Sequence, residues 1–407
     1  MQIAILGRQP EFGLAELWAV GATHVQPLTP DTAEFDGPDL NINRLGSIKK
    51  LGTILFTTNR AKLQADLKKY AAKTLIPELT NTPERHKITL GVSAYSASIT
   101  AKDAFNLGVI VKKSLKAKEI SVRLVPNTTP DLSTAQSFHN GLSSNPYKIE
   151  LLVITQGDRL TVAQMTGVQN PDAYAARDQA RPKRDAFVGM LPPKLAQTMV
   201  NLALGPKNST AQSQKSTNQN ATNQNATSQH LVRLLDPFCG TGVILQEAYL
   251  SGCQIYGTDL SPKMVGYTRA NLEWLMQKSV VAPALLEVAD AQTHHWQPPI
   301  DAIASEIYLG SPLSAPPSFA KLQVLRKNAE ELLQNFLTNL APQITSDTRL
   351  CLAIPAWRQE NGGFSRLNLD FLGHIEYNVE GKSRDLLYAR EQQIVARDLI
   401  ILVKNKE

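Results

Sequence analysis

Short apolar runs separated by helical patterns dominate the second half of the chain. The runs cover residues 231–235, 254–258, 285–289, 302–305 and 350–354. Runs of this length between helices are typical of strands buried on both faces, so they predict a parallel sheet covered by helices. Two further strands are predicted within residues 375–378 and 393–403. We therefore expect an α/β domain with a mostly parallel seven-stranded sheet.

The first half alternates strands and helices less regularly. Strand patterns occupy residues 2–6, 87–93 and 149–155, and a helix is predicted from residue 101 to residue 117. This mixture predicts an α+β or α/β region. Lys112 and Lys113 belong to the lysines on the polar side of that helix. A solvated face explains these lysines about as well as contact with phosphate groups.

A polar run at residues 207–229 interrupts the pattern. It has no aromatic or β-branched aliphatic residue, so it cannot bury enough surface to offset the entropy cost of ordering. The preceding segment, residues 191–204, has helical spacing and begins with prolines, as helix starts allow. We expect the polar run to be a disordered insertion just inside the second domain.

Composition narrows the class of protein. The 407 residues carry a formal net charge of +6, which permits a nucleic acid partner without requiring one. No apolar run approaches the roughly 18 residues of a membrane span. Cys239, Cys253 and Cys351 are too scattered for a disulfide framework or a paired-cysteine metal site. We expect a cytoplasmic protein of two or three domains without a membrane partner.

A glycine-containing loop, DPFCGTG at residues 236–242, follows one predicted strand and precedes a predicted helix. Such a loop brings a ligand close to the backbone at a helix N-terminus, which implies a nucleotide-like cofactor. A phosphate-binding Walker loop needs Lys and then Ser or Thr after its last glycine, whereas Val243 and Ile244 stand here. A dinucleotide fingerprint needs Gly or Ala where Leu245 stands.

Acidic residues follow three successive strands. Asp236 would repel phosphate but attract an ammonium group, which favours S-adenosylmethionine, a cation without phosphate. Asp259 lies about 20 residues beyond the glycine loop, where a carboxylate accepts hydrogen bonds from a ribose. Asp290 follows the next strand and suits an adenine amino group. Each acid alone is more often a helix cap, but three at successive strand ends favour a cofactor site.

These segments resemble a known family. The glycine loop, the strand before Asp259, the dipeptide at 289–290 and the strand at 301–305 are similar to S-adenosylmethionine-dependent methyltransferases. Three more blocks resemble the THUMP-containing tRNA guanine-N2 methyltransferases, which act on guanine-10 of tRNA; they lie at residues 5–21, 177–203 and 384–403. The resemblance covers nearly the whole chain.

The resemblance implies a domain plan and a cofactor site. The plan is an N-terminal subdomain (1–54), a THUMP-like RNA-binding domain (55–165), a linker (166–190) and a Rossmann-like methyltransferase domain (191–407). The implied cofactor is S-adenosylmethionine, with its methionine side near the glycine loop, its ribose at Asp259 and its adenine at Asp290 and Ala291. The implied contacts also include Asp236, Phe238, Cys239, Gly240, Gly242 and Leu260.

The catalytic position departs from the family pattern. Related enzymes carry Asp-Pro-Pro-Tyr after the fourth strand, whereas this chain has Glu306-Ile307-Tyr308-Leu309. Glu306 aligns with the acid and can accept a hydrogen bond from the amine, which localises the nitrogen lone pair. Tyr308 can stack on an extruded base. The alternative is that both residues only end the strand and pack locally.

Cations between the two halves predict an RNA contact. Arg177, Arg181, Lys183 and Arg184 can bind phosphate groups, or their arginines can pair with neighbouring acids in an interdomain hinge. The resemblance favours RNA, and it also places Lys112 and Lys113 in the THUMP-like region. Adjacent histidines after Asp290 do not make a metal site without a further ligand.

We expect methylation of a guanine N2 amine in tRNA. One alternative is methylation of an amine in DNA, another RNA or a protein, because the glycine loop does not identify the acceptor. Another is a catalytically inactive tRNA-binding homologue, which Ile307 and Leu309 motivate. The sequence implies no obligate protein partner.

Overall fold

A computed structural model describes residues 1–80, 87–95, 98–185, 190–217, 231–277, 285–381 and 385–405. The chain divides into two units. One comprises Met1–Trp18 with Ala22–Tyr174, and the other comprises Ala19–Gly21 with Ala175–Glu407. The domain bounds implied by the resemblance stay a proposal, since the division near residue 174 leaves the smaller N-terminal parts undivided.

The first unit is built on an eight-stranded sheet in the order β2-β3-β1-β4-β8-β7-β5-β6. Its strands are β1 (Gln2–Leu6), β2 (Thr23–Thr29), β3 (Thr32–Asp36), β4 (Ile48–Asn59), β5 (Ile88–Tyr95), β6 (Val122–Leu124), β7 (Lys148–Gln156) and β8 (Arg159–Val168). Strand β5 pairs in parallel with both β6 and β7, and the other pairs are antiparallel. The prediction of a mixed region is confirmed.

Helices cover the first sheet. They are α1 (Pro10–Ala19), α2 (Leu63–Tyr70), α3 (Ile76–Thr80), α4 (Ala101–Lys116), α5 (Thr134–His139) and α6 (Pro171–Ala175). Helix α4 confirms the predicted helix to within one residue. Thr100 and Asp103 form a reciprocal capping box, which fixes where the helix begins. Its buried face includes Leu107, Val111 and Leu115.

The second unit contains the α/β sheet that the apolar runs predict. Its strands are β9 (Arg233–Asp236), β10 (Gln254–Asp259), β11 (Leu285–Val288), β12 (Ala302–Glu306), β13 (Arg349–Arg358), β14 (Phe364–Ser365), β15 (Tyr377–Val379), β16 (Leu387–Tyr388) and β17 (Val395–Lys404). Seven of them follow the order β11-β10-β9-β12-β13-β17-β15. Strands β9 to β13 are parallel, whereas β17 pairs antiparallel with both of its neighbours, β13 and β15.

The predicted α/β class with its mostly parallel sheet is confirmed. The short strands β14 and β16 pair beside the main path and were not predicted, because two-residue strands leave no pattern in a sequence. The chain crosses from β11 back past β9 to β12, so the direction of strand order reverses between β9 and β12. Ligands of open α/β sheets bind at such a switch point, beyond the carboxyl ends of the strands.

Helices of the second unit are α7 (Pro193–Thr217), α8 (Val243–Leu250), α9 (Pro262–Met276) and α10 (Phe319–Leu340). Helix α10 packs on the sheet through Leu333, Phe336 and Leu337, which are fully buried. Helix α7 is interrupted at Gly205 and ends at Thr217, and residues 218–230 lie outside the described residues. Residues 207–217 of the predicted disordered insertion belong to α7, so only its part at 218–229 stays a prediction. Among the described helices, none combines the length and apolarity that crossing a membrane requires.

Candidate cofactor and catalytic site

A cavity of about 770 Å³ lies in the second unit, beyond the carboxyl ends of β9, β10 and β12. Its volume is within the range of small-molecule sites. It brings together ten of the predicted residues: Asp236, Phe238, Cys239, Gly240, Asp259, Leu260, Asp290, Ala291, Glu306 and Tyr308. Their convergence follows from parallel strands, whose carboxyl ends meet at one edge of a sheet.

The glycine loop turns tightly before α8. The Gly242 amide donates to the Cys239 carbonyl at 2.7 Å, and both Gly240 (φ 52°) and Gly242 (φ 80°) adopt left-handed conformations. A Cβ on Gly242 would lie 2.8 Å from the Thr268 methyl group on α9. Among the described residues that line the cavity, Gly242 does not occur. Gly242 therefore permits the close approach of α9, and its predicted contact with the cofactor stays a prediction.

Asp236 ends β9 and is 1% exposed. The Ser305 hydroxyl donates to its Oδ1 at 2.6 Å, and the Phe238 amide donates to the same oxygen at 3.3 Å. Burial raises the pKa of Asp236 to about 7, although both hydrogen bonds oppose that shift. Asp236 is thus held by neighbouring groups and titrates close to neutral pH.

Asp259 ends β10 and is fixed by two backbone amides. The Gly240 amide donates to Oδ2 at 2.9 Å, and the Ser261 amide donates to Oδ1 at 2.8 Å. Burial raises the pKa of Asp259, while these two amides lower it. A carboxylate oxygen accepts more than one hydrogen bond, so both oxygens keep capacity for a ligand hydroxyl. Asp290 is oriented similarly, since the Gln292 amide donates to its Oδ1 at 2.9 Å.

Glu306 ends β12, and its side chain is 13% exposed. Arg397 Nε on β17 donates to Glu306 Oε2. Burial raises the pKa of Glu306, and the adjacent Arg397 opposes the shift. Sequence reasoning did not single out Arg397. The signal was available, because Arg397 and Asp398 are adjacent charges inside an otherwise apolar strand.

The residues after Glu306 have different environments. Ile307 is 1% exposed, and its amide donates to the Ala353 carbonyl at 3.1 Å, so the backbone is fixed there. Tyr308 is 59% exposed, and its hydroxyl lies 3.4 Å from the Ser311 hydroxyl. The ring of Tyr308 therefore has an accessible surface on which a planar group can stack.

Among the charged side chains that line the cavity, carboxylates outnumber cations. Lys263 Nζ lies 2.8 Å from Asp185 Oδ2, so the ammonium group among the lining residues is already paired. The lining carboxylates are Asp185, Asp236, Asp259, Asp290 and Glu306. This charge balance disfavours a phosphate-bearing ligand and suits a cation. The donor and acceptor set therefore fits S-adenosylmethionine, which carries an ammonium and a sulfonium group.

The residues predicted to bind RNA lie in both units and differ in their burial. Arg177 Nε donates to Glu247 Oε1 at 2.6 Å, and both side chains are largely buried. Arg181 is 3% exposed, and burial lowers its pKa. Lys183 and Arg184 are exposed, and Lys183 Nζ lies 5.6 Å from the Tyr267 ring centre. On α4 of the other unit, Lys113 is exposed and Lys112 is half-buried.

The strand order, the glycine loop and the cavity at the switch point define a Rossmann-like cofactor-binding domain. The chain is 30% identical over 200 residues to the tRNA (guanine(10)-N2)-dimethyltransferase of Methanothermobacter thermautotrophicus, covering 49% of this chain and 48% of that protein. It is 33% identical over 101 residues to the enzyme of the same name from Pyrococcus abyssi, covering 25% and 22%. The resemblance stated from the sequence is thereby confirmed over about half of the chain. The chain spans about half the length, or less, of these curated relatives.

Solved structures give weaker likenesses. TrmN from Thermus thermophilus has a TM-score of 0.46 at 15% identity, covering 99% of each chain. A possible methylase from Clostridium difficile has a TM-score of 0.44 at 13% identity, covering 100% of this chain and 98% of the other. No family model matches the chain.

Proposed function

We propose that this chain is an S-adenosylmethionine-dependent methyltransferase that methylates the N2 amine of a guanine in tRNA. The observation that carries the proposal is the acidic cavity at the sheet's switch point, with Glu306 at the end of β12 on its wall. Similarity to two curated tRNA (guanine(10)-N2)-dimethyltransferases supports the choice of acceptor.

The cofactor assignment rests on the fixed carboxylates of the cavity. Asp236 attracts the ammonium group, Asp259 accepts hydrogen bonds from the ribose hydroxyls, and Asp290 accepts one from the adenine amine. Phe238 and Leu260 supply apolar surface beside them. When bound, S-adenosylmethionine would supply the electrophilic methyl group for the transfer.

Glu306 is the residue that acts on the amine. The exocyclic nitrogen of guanine is a poor nucleophile because its lone pair is delocalised into the ring. A carboxylate that accepts a hydrogen bond from the amine localises this lone pair, and the same carboxylate can take up the proton that the amine loses. Tyr308, with its exposed ring, stacks on the extruded base.

The RNA contact is assigned to three exposed cations and to the half-buried Lys112. Lys183 and Arg184 make this contact in the second unit. Lys112 and Lys113 make it in the first unit, where residues 55–165 form the THUMP-like domain of the proposal. Arg177 is excluded from direct contact because Glu247 already engages its guanidinium. We propose the cytoplasm as the compartment, in agreement with the three cysteines, which are free and buried.

Transfer of a labelled methyl group tests the proposal. Purified chain is incubated with methyl-labelled S-adenosylmethionine and, separately, with tRNA transcript, duplex DNA and a protein substrate. The proposal predicts label in tRNA and loss of labelling with Glu306→Ala, while cofactor affinity stays nearly unchanged. Label in DNA or protein supports the alternative acceptor, and tRNA binding without label supports the inactive homologue that Ile307 and Leu309 motivate.

A further inference from the structure

The ion pair between Glu306 and Arg397 spans three strands of the second sheet. Glu306 on β12 lies opposite Ala353 on β13, and Ala353 lies opposite Leu399 on β17. Arg397 lies two residues from Leu399, so it shares a sheet face with Glu306. It pairs with Pro355 in the register, which puts it nearer the carboxyl end of β13 than Ala353.

The separation of these backbones requires long side chains. Adjacent strands lie about 4.8 Å apart, so the two spacings from β12 to β17 make about 10 Å. With a shift of two residues, about 7 Å along the strand, the two Cα atoms are on the order of 12 Å apart. Arg397 reaches Glu306 across this distance through a Nε–Oε2 hydrogen bond. Aspartate at 306 is shorter by one C–C bond, about 1.5 Å, and would leave a gap.

The ion pair also gives the two carboxylate oxygens of Glu306 different roles. Oε2 accepts from Arg397, and in the described part of the chain no hydrogen bond reaches Oε1. Glu306 lines the cavity, whereas Arg397 does not occur among the described lining residues. The Arg397 guanidinium can therefore act on a ligand only through the Glu306 carboxylate, and Oε1 stays available to a ligand amine.

We propose that Arg397 is a positioning residue, and that glutamate stands at position 306 because only this longer acid reaches it. The inference rests on the proposed methyl transfer. Arg397 favours the ionised form of the Glu306 carboxylate and fixes its orientation, with Oε1 directed to the amine. Glu306, which stands where the Asp-Pro-Pro-Tyr pattern has aspartate, is then matched to Arg397. Glu306→Asp, which restores the family residue, is predicted to lower activity.

Kinetics of four variants test this role. Arg397→Gln is expected to lower kcat by roughly tenfold to a hundredfold, the range that misplacement of a reacting group produces, with the KM for S-adenosylmethionine unchanged. Without Arg397 the pKa of Glu306 rises further, so the acidic limb of the pH–rate profile moves to higher pH. Arg397→Lys restores part of kcat, and Glu306→Asp falls below wild type.

Arg358→Gln is the matched control, because Arg358 also lies on the sheet but donates to backbone carbonyls of Gln393 and Arg390. Wild-type kcat and pH profile in Arg397→Gln overturn the proposal. A lower kcat with an unmoved pH profile also overturns it, since that result marks a purely structural role. Glu306→Asp at or above wild-type activity refutes the matched pair.

A double-mutant cycle of melting temperatures tests the ion pair between Glu306 and Arg397 without an activity assay. Arg397→Gln leaves a largely buried carboxylate unpaired, so its Tm is expected to fall, and Glu306→Gln added to it should restore part of the loss. Additive losses, or no loss in Arg397→Gln, overturn the pairing. If wild type transfers no methyl group, the proposed function fails and this cycle still decides the ion pair. If Arg397→Gln does not fold, the double variant and Arg397→Lys are compared with wild type instead.

Discussion

Binding of S-adenosylmethionine is expected to weaken as the pH falls through 7, because Asp236 then loses its charge. Burial raises the pKa of Asp236 to about 7, so its ionised form declines below that pH. The ionised fraction is about 0.8 at pH 7.5 and about 0.1 at pH 6. If the ammonium group requires the ionised form, the apparent Kd rises by roughly eightfold between these pH values.

Calorimetry at pH 6, 6.5, 7 and 7.5 measures this dependence, with Asp236→Asn as the control. The asparagine variant keeps the titration of the ligand's own amine but lacks that of Asp236, so the difference between the two proteins isolates the aspartate. We expect weaker binding by Asp236→Asn at pH 7.5 and a smaller difference at pH 6. Parallel pH dependence in both proteins would refute the reasoning.

Three further predictions concern other parts of the second unit. Asp259→Ala should weaken S-adenosylmethionine binding by tenfold or more in calorimetry, since hydrogen bonds to a carboxylate are lost; unchanged affinity removes the ribose assignment. Gly242→Ala should lower Tm with cofactor affinity changed less, because its Cβ meets Thr268 at 2.8 Å; an unchanged Tm contradicts this. Lys183→Ala with Arg184→Ala should weaken tRNA binding and reduce its salt dependence by roughly two charges, unlike the exposed Lys327→Ala; equal effects exclude a specific contact.

Local signals made much of the second unit predictable. Buried parallel strands leave continuous apolar runs, and the glycine loop follows one of them directly, so both are visible in the sequence. The convergence of Asp236, Asp259, Asp290 and Glu306 also followed, because parallel strands carry their carboxyl ends to one edge.

Contacts between distant segments were not predictable in the same way. Arg397 meets Glu306 across 91 positions, through an antiparallel strand whose register no local pattern reveals. Arg177 was considered a partner for nearby aspartates, but it pairs with Glu247 on α8, 70 positions away. The close approach of Thr268, on a later helix, to Gly242 is a further contact that the glycine pattern alone does not reveal.

Mass spectrometry of nucleosides from tRNA is the most direct test of the central claim. An unmodified tRNA transcript is incubated with the full chain and a cofactor bearing a deuterated methyl group, then digested to nucleosides. The account predicts deuterated N2-methylguanosine or its dimethyl form with wild type, and neither with Glu306→Ala. Deuterium confined to other nucleosides, or equal N2-methylguanosine from both proteins, would contradict it.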